Sequence, residues 1–147
     1  MIRAACEADM PDLLRMGRAF YGSTEREGVV PFCEASAEAT ARLLLSQGIL
    51  LVAEFETHVI GMIGLMVSPS LMNHAYLVAS EIMWWVDADA RWSGAGLRLI
   101  RAAENAARDA GAVEITMVRL DNSPRAAELV YLRRGYRPGE HSYTKVL

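Results

Sequence analysis

The pattern of apolar and polar positions switches repeatedly between a helical and a β period. Residues 2–5 open with a short β-type run. Asp9 is a natural N-cap, and Pro11 and Asp12 suit a first helical turn. Leu13, Leu14, Gly17, Phe20 and Tyr21 then recur on one helical face until Gly22. Residues 23–31 are polar and contain glycine, which predicts a loop. A second helix is expected over 36–47, with Leu43, Leu44 and the alanines inward and Gly48 as its stop.

From Ile49 the period changes. Residues 49–55 and 58–67 are two β-type runs separated by Glu56 and Thr57, which predicts a hairpin. Residues 68–74 are expected to connect it to the next strand. Residues 76–86 are apolar on both parities, as in a strand buried on both faces, with Trp84 and Trp85 directed to opposite sides. Residues 94–110 form the clearest helix. Arg98, Arg101, Asn105 and Arg108 mark its wet face and Leu99, Ala102, Ala103 and Ala106 its dry one, with Glu104 spaced to pair with Arg108.

Residues 113–118 read as a strand. Ser123 and Pro124 then start a helix that Gly135 stops, and two short β segments close the chain. The order β-α-α-β-β-β-α-β-α-β-β predicts an α/β (α+β) domain, a mixed and mostly antiparallel sheet flanked by helices. No linker or repeat divides it, so residues 1–147 are expected to form a single domain.

Composition narrows the function classes. The chain has 147 residues, 52% of them hydrophobic and 22% charged, which is ordinary globular usage. A net charge of −3 gives no electrostatic pull toward nucleic acid, which is disfavoured as a partner. Cys6 and Cys33 are too few for a disulfide framework, and with His58, His74 and His141 they show no metal-ligand spacing, so no metal is expected. The apolar runs are far short of the ~20 residues that span a bilayer, and the acidic N-terminal stretch is unlike a signal peptide. A reduced, cytoplasmic protein with no membrane segment is the expectation.

The chemistry concentrates in residues 86–97, Val-Asp-Ala-Asp-Ala-Arg-Trp-Ser-Gly-Ala-Gly-Leu. A buried strand ends there, a turn with Gly94 and Gly96 follows, and a long helix begins. Such a turn presents backbone N–H groups at the positive end of a helix, which suits a phosphate or pyrophosphate. Glycine leaves room for a ligand to approach the backbone. A tight strand-to-helix connection is the alternative. A dinucleotide fingerprint is disfavoured, because the third glycine is missing and no βαβ unit opens the chain.

Arg91-x-x-Gly94-x-Gly96, five residues after Val86 and opening a helix, resembles motif A of the GNAT superfamily of acyl-CoA N-acyltransferases. Residues 129–136, with Tyr131 four residues before Gly135-Tyr136, resemble that family's motif B. The resemblance implies that backbone amides of Arg91, Trp92, Ser93, Gly94, Ala95, Gly96 and Leu97 hold the CoA pyrophosphate. It implies that the edge at Trp85 and Val86 pairs with the pantetheine arm where two strands splay apart. Tyr131 would protonate the leaving thiolate. Trp92 departs from the small residue common at its position. Members often carry asparagine where this chain has Pro124, with Asn122 two residues earlier.

Glu81 is the carboxylate of interest. It interrupts an apolar strand, where an unpaired charge is costly and burial raises the pKa toward the range of a base for an ammonium group. A slip of one residue would reverse its face, and a structural salt bridge to an arginine is the alternative. Ser80 and His74 are weaker candidates, and Arg133, Arg134 and Arg137 suit a helix C-terminus as well as a phosphate.

The resulting expectation is an N-acetyltransferase acting by direct transfer. Acetyl-CoA is the co-substrate, a small-molecule or peptide amine the acceptor, and Tyr131 and Glu81 the catalytic pair. A homodimer is left open, and a non-catalytic acyl-CoA-binding module or sensor is the competing class. Loops near residues 22–33, 68–75 and 138–143 would surround the acceptor.

Overall fold

The computed structural model describes residues 1–121 and 123–147. Its five-stranded sheet runs in the order β1 (Ile2–Ala4), β2 (Gly48–Phe55), β3 (His58–Ser70), β4 (Asn73–Val86) and β5 (Ala112–Thr116). Neighbours are antiparallel except β4 and β5, which run parallel because the helix α3 (Ala95–Asp109) crosses between them. Helices α1 (Met10–Gly22) and α2 (Glu34–Gln47) separate β1 from β2, and α4 (Arg125–Arg133) follows β5. The mixed, mostly antiparallel sheet expected from the sequence is the one that forms, and the order of elements agrees from β1 through α4.

Alternation along the strands builds two cores, one on each face. Ile63, Leu65, Ala79 and Val86 pack against Ala95, Leu99, Ile100, Ala103 and Ala107 of α3, with Tyr131 of α4 at the margin. Leu50, Val52, Val59 and Met62 pack the other way, against Met10, Leu13 and Met16 of α1 and Ala41 and Leu44 of α2. Trp84 joins the first core and Trp85 the second, so adjacent tryptophans do take opposite faces. Leu99 and Ile100 are fully buried, each contributing roughly 2 kcal/mol of hydrophobic stabilisation. They fix α3 firmly across β2, β3 and β4.

The turn between β2 and β3 is the two-residue hairpin at Glu56 and Thr57, with Glu56 at φ +55°. Asp9 immediately precedes α1 but does not cap it with its side chain. Instead its buried carboxylate accepts from Arg3 through both oxygens at 2.8 Å and from the Cys6 N–H at 2.8 Å. The Arg3 guanidinium holds this carboxyl down at about 2.

Four expectations are corrected. Residues 68–74 are not a free connector: β3 and β4 continue into a long hairpin whose tip exposes Leu71 and Met72. The helix after Ser123 starts at Arg125, with Pro124 as the N-cap residue and the Ser123 hydroxyl accepting from the Leu120 N–H instead. Glu104 pairs with Arg134 of the α4 terminus rather than with Arg108, which bonds Asn105. The two closing β segments form no strand among the described residues. Pro138 removes a ladder donor, and Tyr143, Val146 and Leu147 are exposed, so alternation gives that segment no face to bury. Asn122 lies outside the described residues.

Candidate active site

The site forms where the parallel pair comes apart. β4 and β5 stay paired, with one register shift between Leu77 and Val78, as far as Ser80 opposite Thr116, and β5 ends there. β4 continues to Val86 with β3 on one side and, among the described residues, no strand on the other. The edge from residue 81 to 86 therefore opens onto a wedge bounded by β4, the chain after β5, and α4. Strands that part this way leave backbone donors and acceptors available to an extended ligand.

A bulge decides which side chains enter the wedge. Gly64 pairs with Met83 and Leu65 with Glu81, leaving Ile82 without a partner on β3. Trp84 and Val86 lie on the α3 face, so an unbroken pleat would send Glu81 to the α1 and α2 face. The extra residue restores Glu81 to the side of Leu65, Trp84 and Tyr131. Ser80, on the opposite parity, is exposed and turned away from them.

Glu81 and Tyr131 converge on one residue. The Val118 N–H donates to Glu81 Oε2 at 2.7 Å, and the Tyr131 hydroxyl donates to the Val118 carbonyl at 3.3 Å. Glu81 is half-buried. Burial pushes its pKa up to about 7, against the opposing pull of the Val118 N–H. Burial also raises the Tyr131 phenol above its ordinary value, and the nearby Glu81 charge adds to the shift. At neutral pH the site holds a firmly protonated phenol beside a carboxyl poised to gain or lose a proton. The Tyr131 ring is buried, 5.7 Å from Trp84 and 5.5 Å from Tyr136 between centroids.

The turn after β4 is built for close packing. Residues 88–93 form a 3-10 turn, and Gly94 takes the left-handed conformation at φ +74° before α3 begins. The Ser93 hydroxyl accepts from the Ala95 N–H at 3.2 Å, and the Arg98 guanidinium donates to the Ser93 carbonyl at 2.9 Å. By helix geometry the Gly96 and Leu97 N–H groups point out of the helix start. A Cβ on Gly96 would come within 3.0 Å of Trp84 Cζ2. Gly96 thus lets α3 approach Trp84 more closely than a residue with a Cβ would without a shift of the indole.

Arg91 staples the strand end to the turn: its Nε donates to the Val86 carbonyl at 3.1 Å and its guanidinium lies 4.9 Å from the Trp85 ring centroid. The Trp85 indole faces α1, donating to Asp87 at 3.0 Å, so its side chain stays out of the wedge. Trp92 is 82% exposed.

Other candidates fall outside. His74, Cys6 and Cys33 are exposed, and the Arg134 side chain is committed to Glu104. Among the described residues no group of three or more His, Cys, Asp or Glu is placed to hold a metal, and no helix is long and apolar enough to cross a membrane. Sequence reasoning missed Val118, which acts through its backbone and leaves no side-chain signal.

A model of the acetyltransferase (GNAT) family matches residues 16–136. No curated protein sequence matches the chain. Among solved structures, the fold is similar to an acetyltransferase of Trypanosoma brucei (TM-score 0.74, 19% identity, covering 100% of this chain and 99% of that one). It is similar to a ribosomal-protein-alanine N-acetyltransferase of Brucella melitensis biovar Abortus (0.75, 14%, covering 100% and 99%). It is also similar to an aminoglycoside acetyltransferase from an uncultured soil metagenomic sample, in complex with sisomicin (0.72, 19%, covering 100% and 96%).

Proposed function

The chain belongs to the acetyltransferase (GNAT) family, and on that premise we propose that it moves an acetyl group from acetyl-CoA directly to a primary amine. The observation that carries the reading is the convergence of Glu81 and Tyr131 on Val118 at the mouth of the wedge. An amine is the natural acceptor for a carboxyl whose pKa lies near neutrality, because an ammonium must lose a proton before it can attack. Structural relatives named as an N-acetyltransferase and an aminoglycoside acetyltransferase support that choice.

In this reading the pantetheine arm lies along the β4 edge at Trp85 and Val86. The pyrophosphate meets the helix start from Arg91 to Leu97, chiefly the outward N–H groups of Gly96 and Leu97. Glu81, directly or through a water, takes the proton of the ammonium. The amine nitrogen attacks the thioester carbonyl, whose oxygen gains charge that a backbone N–H of β4 near the bulge stabilises. The C–S bond then breaks as Tyr131 passes its hydroxyl proton to the departing sulfur. The acylated nitrogen gives its second proton to solvent, leaving an acetamide and the CoA thiol, and solvent returns the proton from Glu81 to the tyrosinate. Residues 1–147 act as one domain in a reduced cytoplasmic setting, on a small-molecule or peptide amine, as a monomer or homodimer.

Calorimetric titration with acetyl-CoA, followed by CoA-thiol release with a panel of primary amines, tests the reading. Binding and amine-dependent release are expected. Binding without release from any amine would favour a non-catalytic acyl-CoA-binding module, and no binding would overturn both.

A further inference from the structure

The helix that carries Tyr131 has few anchors. α4 spans nine residues, shorter than the ~12–15 at which an isolated helix becomes even marginal in water, so tertiary contacts must hold it. One set of contacts is aromatic: Tyr131 against Trp84 and Tyr136, with the hydroxyl on Val118. Val130 packs on the core and Glu128 stands 4.0 Å from Arg119. A bonded contact lies at the C-terminus. Arg134 donates through Nε to Glu104 Oε1 at 2.7 Å and through Nη2 to Glu104 Oε2, a bidentate pair. Both side chains are largely shielded, 24% and 14% exposed. Glu104 belongs to α3 and follows the fully buried Ala103, so one end of the pair is fixed to the core.

Arg134 stands three residues, less than one helical turn, after Tyr131. Its own N–H closes the helix on the Val130 and Tyr131 carbonyls. Gly135 then takes a left-handed φ of +87°, and the Tyr136 N–H returns to the Tyr131 carbonyl at 3.1 Å. The Tyr136 hydroxyl is shielded from solvent and feels the Glu104 carboxylate without a well-formed hydrogen bond to it. The turn from Arg134 to Tyr136 thus ties Tyr131, and the ring packed on it, to the residue held by Glu104.

We propose that Glu104 and Arg134 are positioning residues for the reaction, setting the distance from the Tyr131 hydroxyl to the leaving sulfur. The inference rests on the reading of Tyr131 as the proton donor. A cation that merely suited the α4 C-terminus would need no carboxylate partner on α3, and its role would survive loss of Glu104. A bidentate fork has a stricter requirement: lysine in place of Arg134 keeps the charge but loses the second contact.

The test uses Glu104→Gln, Arg134→Gln, Arg134→Lys and the double variant Glu104→Gln with Arg134→Gln. Far-ultraviolet circular dichroism establishes that each is folded. Each glutamine variant should lower kcat about 10-fold to 100-fold, because small misplacements of a reacting group are costly, while KM for acetyl-CoA stays within about twofold. Arg134→Lys should fall between wild type and Arg134→Gln, and the double variant should be no worse than the worse single. The near-ultraviolet signal of the cluster of Trp84, Tyr131 and Tyr136 should weaken in step with kcat. Unchanged kcat in a folded single variant, or independent additive losses in the double, would overturn the proposal. If wild type releases no CoA with any amine, the reading of the active site fails instead. The near-ultraviolet signal then decides alone, and an unchanged signal refutes positioning.

Discussion

Glu81 and Tyr131 hold the same residue from two sides, one by the N–H and the other by the C=O of Val118, at 2.7 and 3.3 Å. The arrangement couples their charges. The ionised Glu81 adds to the elevation of the Tyr131 pKa, so the phenol stays protonated while the site waits. In the proposed mechanism, proton uptake by Glu81 from the acceptor would remove that contribution and make Tyr131 a better donor, which would order base and acid in time.

Tyr131→Phe retains the ring packed between Trp84 and Tyr136 and deletes only the hydroxyl. The rate of acetyl transfer should fall about 10²–10⁴-fold, the usual effect of losing a positioned general acid. Acetyl-CoA affinity should be nearly unchanged. Steady-state kinetics and a calorimetric titration read the two quantities, and equal turnover by wild type and variant would reduce Tyr131 to a packing residue.

Glu81→Gln separates chemistry from stability by sign. Burial raises the Glu81 carboxyl from 4.5 to about 7, so the folded state retains a proton that the unfolded state has released between those pH values. The stability of the wild type should therefore decline across that window, and above it ionised Glu81 costs up to roughly 3 kcal/mol. The neutral amide escapes this cost: the variant should melt higher than wild type at pH 8 and match it near pH 4. Its kcat/KM should fall most at acidic to neutral pH, where the amine needs deprotonation, and the gap should narrow at high pH. A variant less stable at pH 8 with an unchanged pH–rate profile would remove Glu81 from the mechanism.

Gly94 and Gly96 should respond differently to alanine. Gly94 occupies a left-handed conformation with a nearest neighbour at 3.4 Å, so Gly94→Ala should cost about 1–2 kcal/mol of stability through backbone strain alone. At Gly96 the new methyl meets Trp84 at 3.0 Å, and the indole can yield only toward Tyr131 or its other neighbours. Gly96→Ala should lower kcat as well as the melting temperature. Equal kcat values for the two variants would separate Trp84 from the placement of Tyr131.

Much of this was legible in the sequence because it rests on local signals. The doubly apolar β4 run, the opposite faces of Trp84 and Trp85, and the glycine-bearing turn before α3 all follow from period and punctuation. The α3 stripe was legible only approximately: Ala95, Ile100 and Ala107 are buried where Ala102 and Ala106 were expected to be. The buried stripe runs the length of the helix, from Ala95 to Ala107, because α3 lies across the central strands rather than meeting them only along residues 99–106. The partner of Glu104 was illegible for another reason. Arg108 is four residues away on an exposed face, but Arg134, 30 residues away, offers a shielded fork, and no local spacing rule reaches that far. The closing strands failed likewise: alternation is necessary for a strand, but a covering surface must exist.

The bulge at Ile82 also bears on how this chain is aligned with others. Because the face of a strand residue depends on the count of residues between it and a fixed point, a gap placed on either side of position 81 gives opposite answers for that residue. An alignment scored on residue similarity alone can slide that gap past Glu81 to its N-terminal side, into residues 77–80, at little cost. It would then set the acid of this chain against a residue that faces the other core in its relative. Pairing Leu65 with Glu81 and Ile63 with Trp84 removes the ambiguity, since those cross-strand partners fix the count on both sides of the extra residue.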